Sequence, residues 1–378
     1  MSWRAGVRYF LAIVIVLFCI FRLKLEPVMA PRGNPSWSLM ALGDVMLAEG
    51  RNAGRAMAKH GTAYPFAKIA SLTRKATLTF ANLECPIAAS GSPFPGKQLT
   101  FRASPQAADA LVSAGIDVVS LANNHILDYN EEALRETKLR LKQKKIASVG
   151  AGENIQAASA PLWYDVAGQK VAFLAASQMA DLFFSHSYPR PFRATEKRPG
   201  IAPLESQWLC AAIGAVREKA DLVVVSLHWG TEDSSKVTTD QRLLARQLID
   251  AGADLILGHH PHVLQGLEFY KRRLIVYSLA NCIFDQNDEA NKEGMLLTLQ
   301  YRGAQLQLVW ALPIYMYEKG QAALAKDQKG ETIRGKLIKF SEEFGTQCSQ
   351  MGDAVYFSPP KREVPLPDES GTATKRFF

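Results

Sequence analysis

Seven short apolar runs, separated by amphipathic segments, constrain the fold more than any other feature of this sequence. The runs occupy residues 37–42, 77–80, 117–121, 171–175, 222–227, 255–257 and 274–279. Most are rich in Val, Ile and Leu and do not alternate with polar residues, which is typical of strands buried on both faces. Strands of this kind between helical segments predict an α/β fold.

The segments between the runs carry helix start and stop signals. Asn130 precedes two glutamates, and Thr239 with Asp240 opens another helix, because such residues favour the first turn. One helix is expected to stop at Gly115 and another at Gly252. After each of these glycines come a buried strand and then polar residues, at the strand end where open α/β sheets place their ligand sites.

Five segments place polar residues directly after an apolar run. They read GDVML (residues 43–47), NLECP (82–86), NNHILDY (123–129), HWGTED (228–233) and GHHPH (258–262). Five of the seven histidines of the chain fall inside these segments, namely His125, His228, His259, His260 and His262. A random scatter would rarely produce this concentration, so metal coordination is the economical interpretation.

Taken singly, several of these residues have a purely structural interpretation. Asp44 fits a helix cap or a turn, Glu84 a solvated carboxylate, and Asn123 and Asn124 turn geometry. His228 is harder to assign in this way, because a histidine that ends a buried strand needs a partner for each ring nitrogen. The joint occurrence of all five segments favours the functional interpretation.

The mixed oxygen and imidazole donors suit a divalent ion such as Mn²⁺, Fe²⁺ or Zn²⁺. The absence of thiolate donors argues against a closed structural zinc site. Cys85 adjoins Glu84, but neighbouring side chains of an extended strand point in opposite directions, so we exclude it from the ligands.

The N-terminus contains an apolar run at residues 9–21, with Arg4 and Arg8 before it and Arg22 and Lys24 behind it. The run has the length of a signal-peptide core and is short for a spanning helix, which needs about 20 residues. The basic flanks favour an uncleaved single-pass anchor, with a cleaved signal and a secreted or periplasmic product as the alternative. Both place the rest of the chain outside the cytoplasm.

The composition supports a globular protein and limits the kinds of partner that it can bind. A hydrophobic fraction of 48% supports a sizeable core in a chain of 378 residues. The net charge of +8 suits an anionic partner, yet the basic residues form only short clusters, at 142–145 and 271–273. No zinc finger, aromatic RNA-binding signature or basic helix is present, so we expect no nucleic-acid partner. Five widely spaced cysteines specify no disulfide framework.

The motifs, taken in order, resemble those of the bacterial capsule-synthesis or poly-γ-glutamate-synthesis family, which is often called CapA-like. GDVML, NLE, LANNHILDY, SLHWGTE, GHHPHVLQ and YSLANCIFD occur between about residues 38 and 284. The resemblance implies a metallophosphoesterase-like four-layer α/β/β/α sandwich, with two packed sheets flanked by helices and metal-site loops at one edge. Together with the N-terminal anchor, this is the predicted fold.

The same resemblance implies roles for individual residues. The implied metal ligands are Asp44, Glu84, Asn124, His228, His260 and His262, with Glu84 bridging two ions. His125 is the implied catalytic proton donor to a leaving group. Second-shell or substrate positions are expected at Asn82, Asn123, Asp128, Trp229, Glu232, His259 and Asn281.

The sequence departs from the phosphoesterase pattern at Met46, which stands where that pattern has histidine. A thioether is a poor ligand for hard divalent ions, so one ion site lacks a ligand and one or two ions are expected. Smaller departures from the family are Asn130 and Ala280 where glycine is usual, Asp233 where an aromatic residue is usual, and Cys282 where phenylalanine is usual.

The leading hypothesis is a metal-dependent, hydrolase-like protein that acts outside the membrane in making, releasing or attaching an acidic extracellular polymer, on a phosphoester or an amide bond. The expected partners are the membrane, through the N-terminal segment, and the polymer or its synthesis complex. The alternative is a non-catalytic scaffold of an export complex. The expected organisation is a signal-anchor at 1–26, a linker at 27–36, the main domain at 37–320 and a partly irregular C-terminal extension at 321–378.

Overall fold

The computed structural model describes residues 35–182, 190–286 and 288–361. The predicted signal-anchor at 1–26 and all but the last two residues of the predicted linker lie outside the described residues. Within the described ranges, no helix has both the length and the apolarity that crossing a membrane requires.

Strands and helices alternate through most of the described chain. The strands are β1 (Ser36–Val45), β2 (Leu78–Leu83), β3 (Val118–Ser120), β4 (Ala147–Val149), β5 (Ala151–Gly152), β6 (Leu162–Val166), β7 (Gln169–Ser177), β8 (Gly200–Ile201), β9 (Leu222–His228), β10 (Leu255–His259), β11 (Leu267–Tyr270), β12 (Arg273–Val276), β13 (Asn281–Ile283), β14 (Glu293–Arg302), β15 (Gln305–Glu318), β16 (Gln321–Leu324), β17 (Gln347–Met351) and β18 (Ala354–Ser358). The α-helices are α1 (Asn52–His60), α2 (Ala70–Thr73), α3 (Ala107–Ser113), α4 (Asn130–Gln143), α5 (Ile155–Ser159), α6 (Ser206–Arg217), α7 (Thr239–Asp250) and α8 (Asp327–Glu342). All seven apolar runs overlap strands, so the predicted α/β class is confirmed.

Two large sheets and one short two-stranded sheet hold these strands. The larger sheet has the order β17-β18-β15-β14-β1-β2-β3-β4, with β13 also paired to β1 and β16 to β15. The smaller sheet has the order β11-β12-β10-β9-β7-β6. Strands β1 to β4 are mutually parallel, and so are β7, β9, β10 and β12. Each parallel set therefore gathers its carboxyl ends at one edge.

The two large sheets pack face to face through a shared hydrophobic core. Phe80 of β2 stacks on Phe173 of β7 with ring centroids 5.8 Å apart. Helices cover the outer faces: Leu134 and Leu141 of α4 pack in the core outside the larger sheet, and Leu248 of α7 packs in the core outside the smaller sheet. Both faces of each central strand are therefore buried, which explains why the apolar runs do not alternate with polar residues.

A repeated aspartate joins neighbouring strands at their amino ends. A side-chain oxygen of Asp117 accepts the backbone N–H of Thr79 at 2.8 Å, and Asp254 accepts that of Val223 at 2.8 Å. Asp221 accepts the N–H of Lys170 at 2.7 Å in the same manner. The Ala-Gly-x-Asp segments seen in the sequence thus end a helix and fix the start of the adjacent strand.

The C-terminal boundary differs from the predicted one at residue 320. Strand β18 pairs with β15, β17 pairs with β18, and both extend the larger sheet. Ile333 and Leu337 of α8 are buried in the core between the sheets. The chain from 321 to 358 is therefore regular and belongs to the main fold, because its apolar residues cover the end of the shared core.

Candidate metal centre

The polar residues predicted from the five segments meet where parallel strands of both large sheets end. In the larger sheet, Asp44 of β1 is in register with Asn82 of β2, and a β-bulge follows Asp44. In the smaller sheet, His228 of β9 is in register with His259 of β10. In these two strand pairs, the carboxylate and the amide come from the larger sheet and the two imidazoles from the smaller sheet.

Two glycines allow the backbone to pass close to the loops of this site. A Cβ on Gly43 would lie 1.9 Å from the carbonyl oxygen of Ala280, and a Cβ on Gly258 would lie 1.9 Å from that of Tyr277. The backbone N–H of Asp44 donates to the same Ala280 oxygen at 2.9 Å. Glycine is therefore required directly before the ligand-type residue in both sheets.

The carboxylate of Asp44 is fully buried and makes four contacts. Its Oδ1 accepts from Nδ2 of Asn82 at 2.9 Å and lies 3.0 Å from Nδ1 of His259. Its Oδ2 accepts the backbone N–H of His260 at 3.2 Å and lies 3.2 Å from Nδ1 of His262. This single side chain joins the first strand of the larger sheet to the histidine loop after β10.

Glu84 is the second buried carboxylate, and only one of its oxygens has a hydrogen-bond partner. Its Oε2 accepts from Nδ2 of Asn82 at 3.1 Å, whereas its Oε1 is buried without a hydrogen bond. Nε2 of His228 and Nε2 of His262 each lie 3.7 Å from that Oε1. An unpaired buried carboxylate oxygen is costly, and a cation among these atoms would satisfy it.

Asp44, Glu84 and His228 form a group that can hold a metal ion, since they offer ligand atoms within 4.8 Å of one another. Two further ring nitrogens beside this group, His260 Nδ1 and His259 Nε2, are also buried without a hydrogen bond. The nitrogen and oxygen donors of Asp44, Glu84 and His228 suit a borderline divalent ion.

Amide side chains orient the histidines of the group. Asn124 Oδ1 lies 2.8 Å from Nε2 of His228, and Asn281 Oδ1 lies 2.9 Å from Nδ1 of His262. Asn123 supports the loop from within, because its Nδ2 donates to Asn82 Oδ1 at 3.0 Å and its own Oδ1 accepts the N–H of His125 at 3.1 Å. Each amide thus fixes either a ring or the backbone beside one.

His125 belongs to a neighbouring arrangement built around Asp128. Nδ1 of His125 lies 2.7 Å from Asp128 Oδ2, which also accepts the backbone N–H of Phe101 at 2.7 Å. The Nζ of Lys97 contacts Asp128 Oδ1 and the carbonyl oxygen of Asn124, and it lies 3.2 Å from His125 Nδ1. Sequence reasoning missed Lys97, because it lies in an irregular loop outside the five segments.

Two further residues predicted to support the ligands or to contact substrate, Trp229 and Glu232, follow β9. Trp229 is only 1% exposed, and its indole N–H donates to the carbonyl oxygen of Tyr277 at 3.0 Å within the core outside the smaller sheet. Glu232 lies in the exposed turn after β9, and its negative charge is one of those that raise the pKa of Glu84.

Met46 and Cys85 pack beside the site in the core beneath the helices of the larger sheet. The Met46 sulfur accepts the N–H of Ala48 at 3.4 Å, and the Cys85 sulfur accepts the N–H of Leu47 at 3.3 Å. Both sulfurs are therefore satisfied by backbone groups.

Three residues that depart from the family pattern have a left-handed backbone conformation. Asn130, Ala280 and Asp233 have φ angles of 62°, 59° and 59°, in the left-handed region. Glycine adopts this region without strain, which explains its usual presence at the first two positions. Asp233 adds a link between loops, because its N–H donates to the carbonyl oxygen of Pro261 at 2.9 Å.

Burial and mutual contact shift the pKa values of the cluster in opposite directions. Burial raises the pKa of Asp44, yet the His259 and His262 imidazoles hold it well below its usual range. Burial, reinforced by the charge of Asp44, raises the pKa of Glu84 well above its usual range. Burial and the nearby His262 lower the pKa of His260 to about 3. The pKa of His262 rises to about 9 in spite of burial, because Glu84 and Asp44 lie beside it.

The fold and these contacts define a class of protein: mixed α/β, with a buried carboxylate and imidazole cluster where the parallel strands of two packed sheets end. The family described as "Bacterial capsule synthesis protein PGA_cap" matches residues 38–286, about two thirds of the chain. The chain belongs to this family, as its ordered motifs predicted.

Two relatives are named for the biosynthesis of a capsule or of PGA. The chain is 30% identical to "Capsule biosynthesis protein CapA" of Bacillus anthracis over 316 residues, covering 81% of this chain and 74% of the relative. It is 29% identical to "PGA biosynthesis protein CapA" of Bacillus subtilis over 339 residues, covering 88% and 87%. Among solved structures, 5'-nucleotidase from Candida albicans is similar at 10% identity, with a TM-score of 0.40 over 83% of this chain and 61% of that chain.

Proposed function

We propose that this protein is a metal-dependent, hydrolase-like member of the capsule-synthesis family that acts outside the membrane on an acidic polymer. The observation that carries the proposal is the unpaired Glu84 Oε1, which lies 3.7 Å from ring nitrogens of both His228 and His262. Membership of the capsule-synthesis family supports a role in making the polymer. The oxygen and nitrogen donors of the cluster support metal-dependent chemistry.

The residues that would hold the ion come from both sheets. Those proposed are Asp44, Glu84, Asn124, His228, His260 and His262, for one or two ions of Mn²⁺, Fe²⁺ or Zn²⁺. Glu84 would share in holding the ion with these histidines, because its Oε1 lies 3.7 Å from Nε2 of both His228 and His262. Asn82, Asn123, His259 and Asn281 would support these ligands through their hydrogen bonds.

A bound divalent ion supplies Lewis acidity toward a phosphoryl or carbonyl oxygen. The protein would contribute His125, whose Nδ1–H donates to Asp128 and leaves Nε2 as the ring nitrogen that exchanges a proton with the substrate. Asp128, itself held by Lys97 and the N–H of Phe101, fixes the plane of that ring. His125 is therefore the proposed catalytic residue, and Asp128 is a positioning residue.

Three further parts of the proposal rest mainly on the sequence. The fold is proposed to be of the metallophosphoesterase-like four-layer type, since its two packed sheets carry helices on their outer faces. The apolar run at 9–21 with its basic flanks supports a single-pass anchor with the domain extracytoplasmic, or a cleaved signal with a secreted or periplasmic product. The proposed partners are the membrane and the polymer or its synthesis complex.

Metal analysis of the purified full chain tests the ligand set. We expect about one equivalent of Mn²⁺, Fe²⁺ or Zn²⁺ or more, and a loss of most of it in the His228→Ala/His260→Ala variant. His60→Ala is the matched control, because His60 is exposed on α1 and outside the cluster. Less than about half an equivalent, unchanged in the double variant, would refute the proposed centre.

A second candidate function is a non-catalytic scaffold that retains the fold and a structural ion. Met46 favours it, because its sulfur is satisfied by the backbone N–H of Ala48 where the phosphoesterase pattern has a ligand. Assays with Mn²⁺ on phosphodiester and γ-glutamyl model substrates separate the two functions. Turnover that disappears in His125→Ala while metal content is kept supports the hydrolase. Metal binding without turnover on either substrate supports the scaffold.

A further inference from the structure

A basic groove lies between the carboxyl-terminal half of α4 and the edge strand β4. Its volume is about 480 Å³. The lining residues are Lys138, Leu139, Lys142, Lys145, Ile146, Ala147 and Ser148. This groove contains part of the basic cluster at 142–145, which the proposed metal centre does not use.

The charges of the groove are not neutralised from within it. Lys142 and Lys145 are exposed, and neither has an ion-pair partner among the residues that the structure describes. Lys138 donates to the carbonyl oxygen of Ala151 at 2.5 Å, a neutral acceptor. Burial lowers the pKa of Lys138, and the charge of Glu153 opposes that shift. None of the lining residues is acidic. The groove therefore offers three ammonium groups to one anionic ligand.

The carboxylates around the groove lysines have ion-pair partners; Glu136, two residues before Lys138, pairs with Arg140. Glu153 pairs with Arg135 at 2.8 Å, and Asp109 pairs with Lys144 at 2.5 Å. Each of these acids has an ion-pair partner outside the groove lining, and Glu153 acts in addition on Lys138.

The rest of the lining is suited to an extended chain. Leu139 is 55% exposed and gives an apolar contact beside the lysines. β4 is the last strand of the larger sheet, and its Ala147 N–H and Val149 carbonyl oxygen pair toward β3. The backbone groups of Ser148, between them, face the other side, where the described part of the chain supplies no strand.

We propose that this groove binds poly-γ-glutamate, an extended polyamide whose carboxylates lie directly on the main chain and are separated by two main-chain methylenes and an amide; the choice of an acidic polymer rests on the proposed function. The carboxylates would pair with Lys138, Lys142 and Lys145, the methylenes would cover Leu139, and the amides would meet the free edge at Ser148. Lys138 and Lys142 are four residues apart on α4, about 5–6 Å between their Cβ atoms, which suits successive charges on one chain.

The groove is an exosite, separate from the metal centre. Strands β1, β2, β3 and β4 are mutually parallel. Lys145 and Ile146 precede the amino end of β4, whereas Asp44 and Glu84 lie at the opposite, carboxyl ends of β1 and β2. Binding there requires no metal ion and no turnover. A polymer held in the groove would remain attached to the protein while another part of the same polymer reached the metal centre.

The test is fluorescence anisotropy of labelled poly-γ-glutamate with the full chain in detergent, at about 0.15 M ionic strength. The variant is Lys142→Glu/Lys145→Glu, and the matched control is Lys59→Glu/Lys68→Glu, which changes the net charge equally at exposed lysines outside the groove. We expect affinity to fall about tenfold or more in the groove variant and less than about twofold in the control.

Three outcomes would overturn the proposal: no binding by the unaltered protein, an equal loss in both variants, or equal affinity for double-stranded DNA of matched length. Lysines near a helix carboxyl end also interact favourably with the helix dipole, a purely structural role that would change thermal stability without changing polymer affinity. The melting temperature of each variant therefore accompanies the binding curve. Retained binding after removal of metal separates this inference from the proposed hydrolase.

Discussion

Replacement of Lys97 by methionine is the sharpest test of how the His125 loop is held. The Lys97 side chain is 6% exposed and Asp128 is fully buried, so neither charge has access to bulk water. Lys97→Met keeps most of the aliphatic side chain and removes the ammonium group. Asp128 would then retain only the contacts with His125 Nδ1 and the N–H of Phe101.

The expected loss of stability follows from the burial of the pair. Breaking a buried ion pair by removing one partner typically costs about 3–5 kcal/mol, because the remaining charge is left uncompensated. An exposed pair would cost only about 0–1 kcal/mol. The Lys97→Met/Asp128→Asn variant removes both charges, so it should lose less free energy of unfolding than the sum of the two single variants.

Urea denaturation of the single and double variants provides the measurement, with circular dichroism to verify the native fold. The control is Lys59→Met, which removes an exposed ammonium group on α1 and should change the free energy of unfolding by less than about 0.5 kcal/mol. A loss below about 1 kcal/mol for Lys97→Met would show that the charge is not buried and paired as described.

Three further predictions concern other parts of the chain. Gly43→Ala should destabilise the protein and reduce metal binding, because the added Cβ would lie 1.9 Å from a carbonyl oxygen. The added Cβ of Gly214→Ala in α6 meets nothing within 4 Å, so this control should stabilise the protein by up to about 1 kcal/mol in thermal unfolding. Burial raises the pKa of Glu136, but hydrogen bonds from Ser90 and Ala89 hold it at about 2. The contribution of Glu136 to stability is therefore present above about pH 4.3 and is lost as the pH falls toward 2. Glu136→Gln should flatten the acidic side of a plot of unfolding free energy against pH, and an unchanged slope would contradict this. Cys85 and Cys282 are fully buried, and mass mapping of thiol labelling should find them unmodified until global unfolding, so rapid labelling in the native state would contradict their placement.

The sequence predicted the strands well because their burial leaves a local signal. The run at 222–227 became β9, and the run at 171–175 became the centre of β7. The predicted start of α7 at Thr239 is confirmed, and the structure adds that its cap is the preceding residue, Thr238, whose side chain accepts the N–H of Gln241. Adjacent threonines carry the same local preference, and only the packed structure selects between them.

The sequence indicated that the candidate ligands belong to one region of the fold but did not indicate their contacts. Sequence order indicated that Asp44 and the histidine triplet belong to one region, whereas their contact spans 215 positions of the chain. His259 pairs with Asp44, whereas His260 Nδ1 has no hydrogen-bond partner. His260 has a positive φ of 95° in the loop after β10, and the sequence gives no sign of this turn. Lys97 left no signal, because a lone lysine in a polar loop resembles a solvated one.

The division of the donors between two sheets has a consequence for folding. Asp44, Glu84 and Asn124 come from the larger sheet and its loops, and His228, His260 and His262 come from the smaller one. Neither half offers the full set until the sheets have docked, so an ion that binds the complete set shifts the equilibrium toward the docked state. Metal availability would then act as a quality signal for newly made chains, since a chain whose sheets have not docked lacks part of the proposed ligand set.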